Sequence, residues 1–201
     1  MVARAEVGAR LGRLWLSGGR VIRGGGDVLP PRGLSRVVTD SFRVYADNPL
    51  PLARVAEPRA NGTVVRARGK LYKDVALDIH GTAWDAAGAY RPQYQTRAEV
   101  RLETNWLRRF PTGNFGLVVA ITDEYRSRTP FPVLSDSTPG GIEFRPALAS
   151  NALGALLEIR IQQATVSYQI RNALNREYEL VPGIAMPRPV SFYGVRWYFF
   201  N

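Results

Sequence analysis

From Ala3 onward the chain alternates: Ala3, Ala5, Val7, Ala9 and Leu11 fall on one side, Arg4, Glu6, Gly8 and Arg10 on the other. A period of two sends successive side chains to opposite faces of a strand, whereas a helical period would mix the two sets on every face. The pattern recurs down the chain. Val65 and Ala67 oppose Arg66 and Arg68 within 63–69. Val75, Leu77, Ile79, Gly81 and Ala83 oppose Asp74, Ala76, Asp78, His80 and Thr82. The cleanest case sets Ala98, Val100, Leu102, Thr104 and Trp106 against Arg97, Glu99, Arg101, Glu103 and Asn105. Further strands are predicted over 115–121, 157–162, 166–171 and 192–200, and a less regular one over 14–23, where Gly18-Gly19 predicts a bulge. These make nine strands, and an all-β antiparallel fold.

The connections between them alternate in length. Short turns are predicted at Gly12-Arg13, near Lys70, over 110–114 and near Gln163. Long Pro- and Gly-rich stretches cover 24–62, 126–150 and 172–190, and a medium one covers 85–92; short extended pieces over 36–39 and 41–45 interrupt the first. Such order is the signature of an up-and-down transmembrane β-barrel, with short turns at one rim and long loops at the other, and a Greek-key sandwich has no reason to keep it. Aromatics collect as a girdle requires: Tyr72, Trp106, Phe110, Phe115, Trp197 and Phe199 toward the short turns, Trp84, Tyr90 and Tyr125 toward the loops.

With that geometry the charged positions acquire a place. Asp78, His80, Arg97, Glu99, Arg101, Glu103, Glu158, Arg160 and Arg171, together with Arg4, Arg10, Arg66 and Arg68, are predicted to line a polar lumen. An Arg on the lipid face near mid-bilayer costs about 2–4 kcal/mol, so spanning strands must keep the alternation. The last strand puts Tyr193, Val195, Trp197 and Phe199 toward lipid and Gly194 and Arg196 inward.

Composition narrows the classes. The 201 residues carry Lys+Arg 27 against Asp+Glu 17, a formal net charge of +10, which raises an anionic partner. A soluble basic β-domain binding nucleic acid or polyanions is the alternative reading. The mixed-sign wall with Glu99, Glu103 and Glu158 between the arginines argues against nucleic acid as the partner. The chain has no Cys, which removes disulfides and thiolate chemistry. No window approaches the roughly 18 uninterrupted apolar residues of a spanning helix. The first residues, with Arg13, Gly18, Gly19 and Arg20 cutting the apolar run, do not read as a signal peptide.

Candidate chemistry is sparse. His80 is the single His; with Asp78 and Asp74 on its own strand it lacks the convergent third group that a metal or base site needs, and reads as a lumen-facing polar residue. Ser17 and Ser167 have no nucleophile context, and Gly24-Gly25-Gly26 is followed by no Lys-Ser/Thr and no helix, so it is no phosphate loop. No catalytic residue, metal or cofactor is expected, and the chain is not read as an enzyme. Tyr45, Trp84, Tyr90, Arg91, Tyr125 and Arg126 are candidates for touching a ligand at the outer mouth; an ordinary aromatic rim accounts for the same residues.

The C-terminal third, with Asn172 and Tyr178 ahead of Met186-Pro187-Arg188 and then Gly194, Val195 and Phe199, resembles the end of TonB-dependent outer-membrane receptors. The resemblance implies a Gram-negative outer-membrane location, contact with outer-membrane lipid, and a barrel-assembly signal in Tyr193, Gly194, Val195, Trp197 and Phe199 that the barrel-assembly machinery reads. It implies uptake of scarce ligands by full-length relatives. Transporters of that kind have about 22 strands. Residues 1–201 are therefore expected to be the C-terminal part of a barrel, an open curved sheet when isolated and alone not competent for transport. The plug domain and N-terminal strands have no counterpart here, and TonB would be reached only through that absent region. Asn201 stands where the family usually ends on an aromatic.

Overall fold

In the computed structural model, which describes residues 1–30 and 51–199, the alternating segments form strands and no helix is present among the described residues. In chain order the strands are β1 (Val2–Leu11), β2 (Leu14–Arg23), β3 (Gly26–Val28), β4 (Val55–Glu57), β5 (Ala60–Tyr72), β6 (Val75–Trp84), β7 (Tyr94–Thr104) and β8 (Phe115–Arg126). Then come β9 (Thr129–Leu134), β10 (Ile142–Ala147), β11 (Ser150–Ile161), β12 (Ala164–Arg171), β13 (Glu179–Val181), β14 (Ile184–Ala185) and β15 (Val190–Trp197).

Nine of them build one antiparallel sheet in the order β1-β2-β5-β6-β7-β8-β11-β12-β15. Every long strand is hydrogen-bonded to the long strand before it, which is an up-and-down meander. The sheet is not closed, since β1 and β15 each pair on one side only. Short turns at Gly12-Arg13, Lys73-Asp74 and Gln162-Gln163 and the connection 105–114 share one end; the long connections share the other.

Several expected boundaries move, each for a physical reason. No bulge forms at Gly18-Gly19, which pair in continuous register with Val7 and Glu6. The irregularity falls instead between Lys70 and Tyr72. The β5–β6 turn lies past Tyr72 and not near Lys70; Lys73 takes the left-handed conformation there with φ 38°. Trp106 is not in a strand: it leads the 105–114 turn with φ 47°. The strand predicted over 157–162 begins at Ser150, because its first half, with Ala152, Gly154 and Ala155, has too little contrast between its faces to show alternation. β15 ends at Trp197, so Phe199 follows the strand, and residues 200–201 lie outside the described residues. The long connections hold the short hairpins β3/β4, β9/β10 and β13/β14. The pieces expected over 36–39 and 41–45 lie outside the described residues.

The core is not where a two-layer domain would keep it. Outside the nine strands the described residues form only strands of two to six residues, so no second sheet of comparable size covers either face, although Val21 and Val64 are buried at the loop end of the charged one. The buried cluster Phe131, Ala147 and Val181, with Leu52, Tyr90 and Ile184 packed against it, belongs to the long connections. Gly69 is a tight joint in the sheet. It sits opposite Leu14 with φ +146°, and an added Cβ would press on the Arg13 carbonyl. A Gly69→Ala variant is expected to lose about 1–3 kcal/mol from strain and overpacking together, read as a lower denaturation midpoint.

Candidate functional site: the polar face and its loop cap

Directly paired residues of an antiparallel sheet share a face. The register links Arg66, His80, Arg97 and Glu124 in one row, Arg68, Asp78 and Glu99 in the next, and Glu103, Val118, Glu158 and Ser167 in another. Arg101 stands opposite Ala76 and Ala120, Arg160 opposite Gly116 and Thr165, and Arg171 opposite Val190. Every residue expected to line the lumen therefore shares one face. Charges on it pair locally: Arg97 reaches Glu99 at 3.5 Å and Glu124 at 3.4 Å, and Arg101 reaches Glu103 at 3.3 Å. These pairs are half-exposed and contribute at most about 1 kcal/mol each. Arg160 donates to Asn105 Oδ1 at 3.4 Å, and the Arg171 guanidinium lies 5.5 Å from the Phe192 ring.

Hollows open on this face. Small residues on β8 and β11, Ala120, Ala152 and Gly154, floor a hollow of about 520 Å³ whose walls come from the longer side chains of β7 and β12. A smaller one of about 220 Å³ lies between Asp78, His80, Arg97 and Glu99. Among the described residues no group of three or more His, Asp or Glu is arranged to hold a metal ion.

The outer-mouth candidates divide. Trp84, Tyr90 and Arg91 come together beneath a cap made by the long connections. Tyr90 donates its hydroxyl to the Ala53 carbonyl at 2.6 Å, and its backbone N–H donates to Pro130 O at 2.8 Å. Its ring meets Phe131 edge-on at 5.4 Å. Arg91 lies 4.6 Å from the Trp84 ring and 3.8 Å from the Glu57 carboxylate, which also faces Arg23 at 3.6 Å. Burial pulls the Arg91 guanidinium below its ordinary value while Glu57 pulls it back up. These three side chains are engaged within the fold. Tyr125 and Arg126 are not part of the group; they are neighbours on β8 that point to opposite faces, Tyr125 beside Thr96 and Arg126 beside Gln95. Tyr45 lies outside the described residues. Glu57 and Arg23 were not singled out in the sequence, where a Glu before a Pro in a long connection carries no pattern.

Of the C-terminal residues quoted for the family resemblance, Asn172 meets Pro187 and Tyr178 meets Met186. Asn172 is buried at φ 52°, accepts from Arg176 N at 3.1 Å, and donates to Arg176 O at 2.8 Å and Pro187 O at 3.3 Å. Met186 N donates to Tyr178 O at 2.9 Å. On β15, Tyr193, Val195 and Trp197 occupy the face opposite the charges, and Phe199 stacks on Trp197 at 6.3 Å. Gly194 is on the polar face, where a Cβ would lie 2.6 Å from Ser167 Oγ.

Two outcomes test the cap. Burial holds the Tyr90 phenol above its ordinary value, so the fold favours the neutral form. That contribution is complete below about pH 10 and lost as pH rises through the folded value. Tyrosinate absorbance should therefore show one late-titrating phenol, absent in Tyr90→Phe. Glu57→Gln leaves Arg91 and Arg23 without their counter-charge; a loss of about 3–5 kcal/mol is expected at the cap, seen as faster proteolysis within 85–93.

Comparison with family models, with curated proteins and with solved structures gives no match in any of the three.

Proposed function

We propose that these nine strands are the C-terminal part of a β-barrel in the Gram-negative outer membrane, of the TonB-dependent receptor kind, whose complete form takes up a scarce ligand. The observation that supports it is the face opposite the charges. Val7, Val65, Ile121, Val166 and Val195 lie on it in five different strands, and all are exposed, Val7 by 83% and Val195 by 73%. Soluble monomers rarely leave more than a few hundred Å² of continuous apolar surface in water.

The band has edges. At the short-turn end Phe115 stacks with Phe110 at 4.6 Å and with Trp106 at 5.9 Å. At the loop end the same face turns polar, where Asn151 donates to Asp123 at 3.0 Å. Between Leu153 and Ile161 strand β11 rises about 26 Å at ~3.3 Å per residue. At the tilt usual in such barrels this is about 20 Å of height, most of the ~25 Å apolar band they present.

The open edges belong to the same reading. An unpaired strand edge is untenable in hydrocarbon, so β1 and β15 require further strands to complete the barrel. In the proposed complete form, an N-terminal barrel part and plug supply these strands and the region through which TonB acts. Tyr193, Gly194, Val195 and Trp197 of β15, with Phe199 just past its end, are what the barrel-assembly machinery would read.

The test is partition and placement of charge. The chain should require detergent or lipid; recovery as a soluble monomer without either sinks the proposal, and salt-sensitive retention on DNA would then favour a soluble polyanion binder. In detergent micelles, where the open edges can reach water, Ile121→Arg should weaken folding by up to about 2–4 kcal/mol, while Thr122→Arg, one residue on and facing the other way, should be close to neutral.

A further inference from the structure

We propose that the polar face holds, at its short-turn end, a binding site for a small multivalent oxyanion of the phosphate or polycarboxylate class. A hollow of about 620 Å³ opens there, bordered by Arg10, Arg13, Trp15, Arg68, Lys70 and Arg101. The register explains how these side chains meet. The turn at Gly12-Arg13 sets Arg10 opposite Trp15, and Trp15 opposite Arg68. One row nearer the turns Lys70 and Arg101 both stand opposite Ala76, whose methyl group leaves the space between them empty.

The charges in this hollow are not balanced. Five cations face two carboxylates, Asp78 and Glu99. Glu99 is already paired with Arg97 at 3.5 Å, and Arg101 with Glu103 at 3.3 Å. Among the described residues no carboxylate lies within ion-pair distance of Arg10, Arg13, Arg68 or Lys70. Arg10 instead donates Nε to the Gly12 carbonyl at 3.0 Å, which ties it toward the turn. Cations crowded in this way repel one another, and an anion that several of them contact relieves the repulsion. Guanidinium groups match phosphate and carboxylate oxygens in bidentate geometry, and a volume of this size suits a small ligand. Asp78 and Glu99 close the hollow on one side, which disfavours a long polyanion continuing across the face.

The experiment is a calorimetric titration of the folded full chain with inorganic pyrophosphate, and separately with citrate, at low ionic strength. Variants Arg68→Gln, Lys70→Gln and Arg68→Lys are compared with Arg188→Gln, which removes a loop arginine of the same charge far from the hollow; circular dichroism checks that each variant is folded. Saturable binding is expected, unchanged in Arg188→Gln, weakened about tenfold or more in Arg68→Gln and Lys70→Gln, and partly retained in Arg68→Lys. Absence of saturable binding overturns the proposal, as does an equal loss in Arg188→Gln. Binding seen only when the phosphate is carried by phosphatidylglycerol in the micelle also overturns it, since the ligand would then be a lipid surface. The titration is read in whichever medium keeps the chain folded, so a chain that needs no detergent defeats the membrane reading alone, and a silent titration defeats this one alone.

Discussion

The ladder of backbone hydrogen bonds that joins every neighbouring strand from β1 to β15 decides everything else about this molecule. It satisfies the main chain within a single layer and leaves two broad faces uncovered. In most β-domains a second sheet or a helix closes one face and makes a core. Here no second sheet or helix of comparable size covers either face among the described residues, so each must find most of its own surroundings, and the side chains differ accordingly. One face carries Arg66, Arg68, Asp78, Arg97 and Glu99; the other carries Val65, Ile79, Val100, Ile121 and Val195. A one-residue slip anywhere in the ladder would exchange the two sets, which is why register is the most heavily specified property of the chain.

The buried cluster formed by the connections lies at one end; within the sheet Val21, Val64 and Ala120 are buried as well. Phe131, Ala147 and Val181 form a small core with Tyr90 beneath it, and backbone bonds such as Ala53 N to Pro132 O at 2.9 Å hold separate loops to one another. This cap makes the loop rim a folded surface while the turn rim stays thin. The contrast gives the sheet a polarity along its strands. Bulky aromatic stacking marks the turn end, and hydrogen-bonded loops mark the other.

Nine strands, their order and the shared face of the charged residues assigned to a lumen could be read from the sequence, because alternation is a local property that needs no partner to be seen. Where the contrast between faces faded, so did the boundaries. β11 was visible only from Leu157 onward, since Ala152, Gly154 and Ala155 differ too little from one another. Trp15 and Lys70 were legible in principle: a two-residue turn at Gly12-Arg13 sets Trp15 opposite Arg10 by counting alone. The Glu57, Arg91 and Arg23 cluster was not, because it joins residues far apart in the chain through connections that carry no period. The loop hairpins were hidden for a similar reason. Pro132 in β9 and Pro146 in β10 obscure strands that are only six residues long.

Asn172 has a consequence for how the final strand is placed. Its amide ties the first residue past β12 to Arg176 and to Pro187, so the two ends of the segment leading into β15 are pinned within one side chain's reach. The span between behaves as a closed loop whose perimeter is free to vary while its mouth stays fixed. Length can therefore be added or removed around the β13/β14 hairpin without shifting the starting point of β15, and the terminal strand inherits its alignment from a clamp and not from the number of residues that precede it.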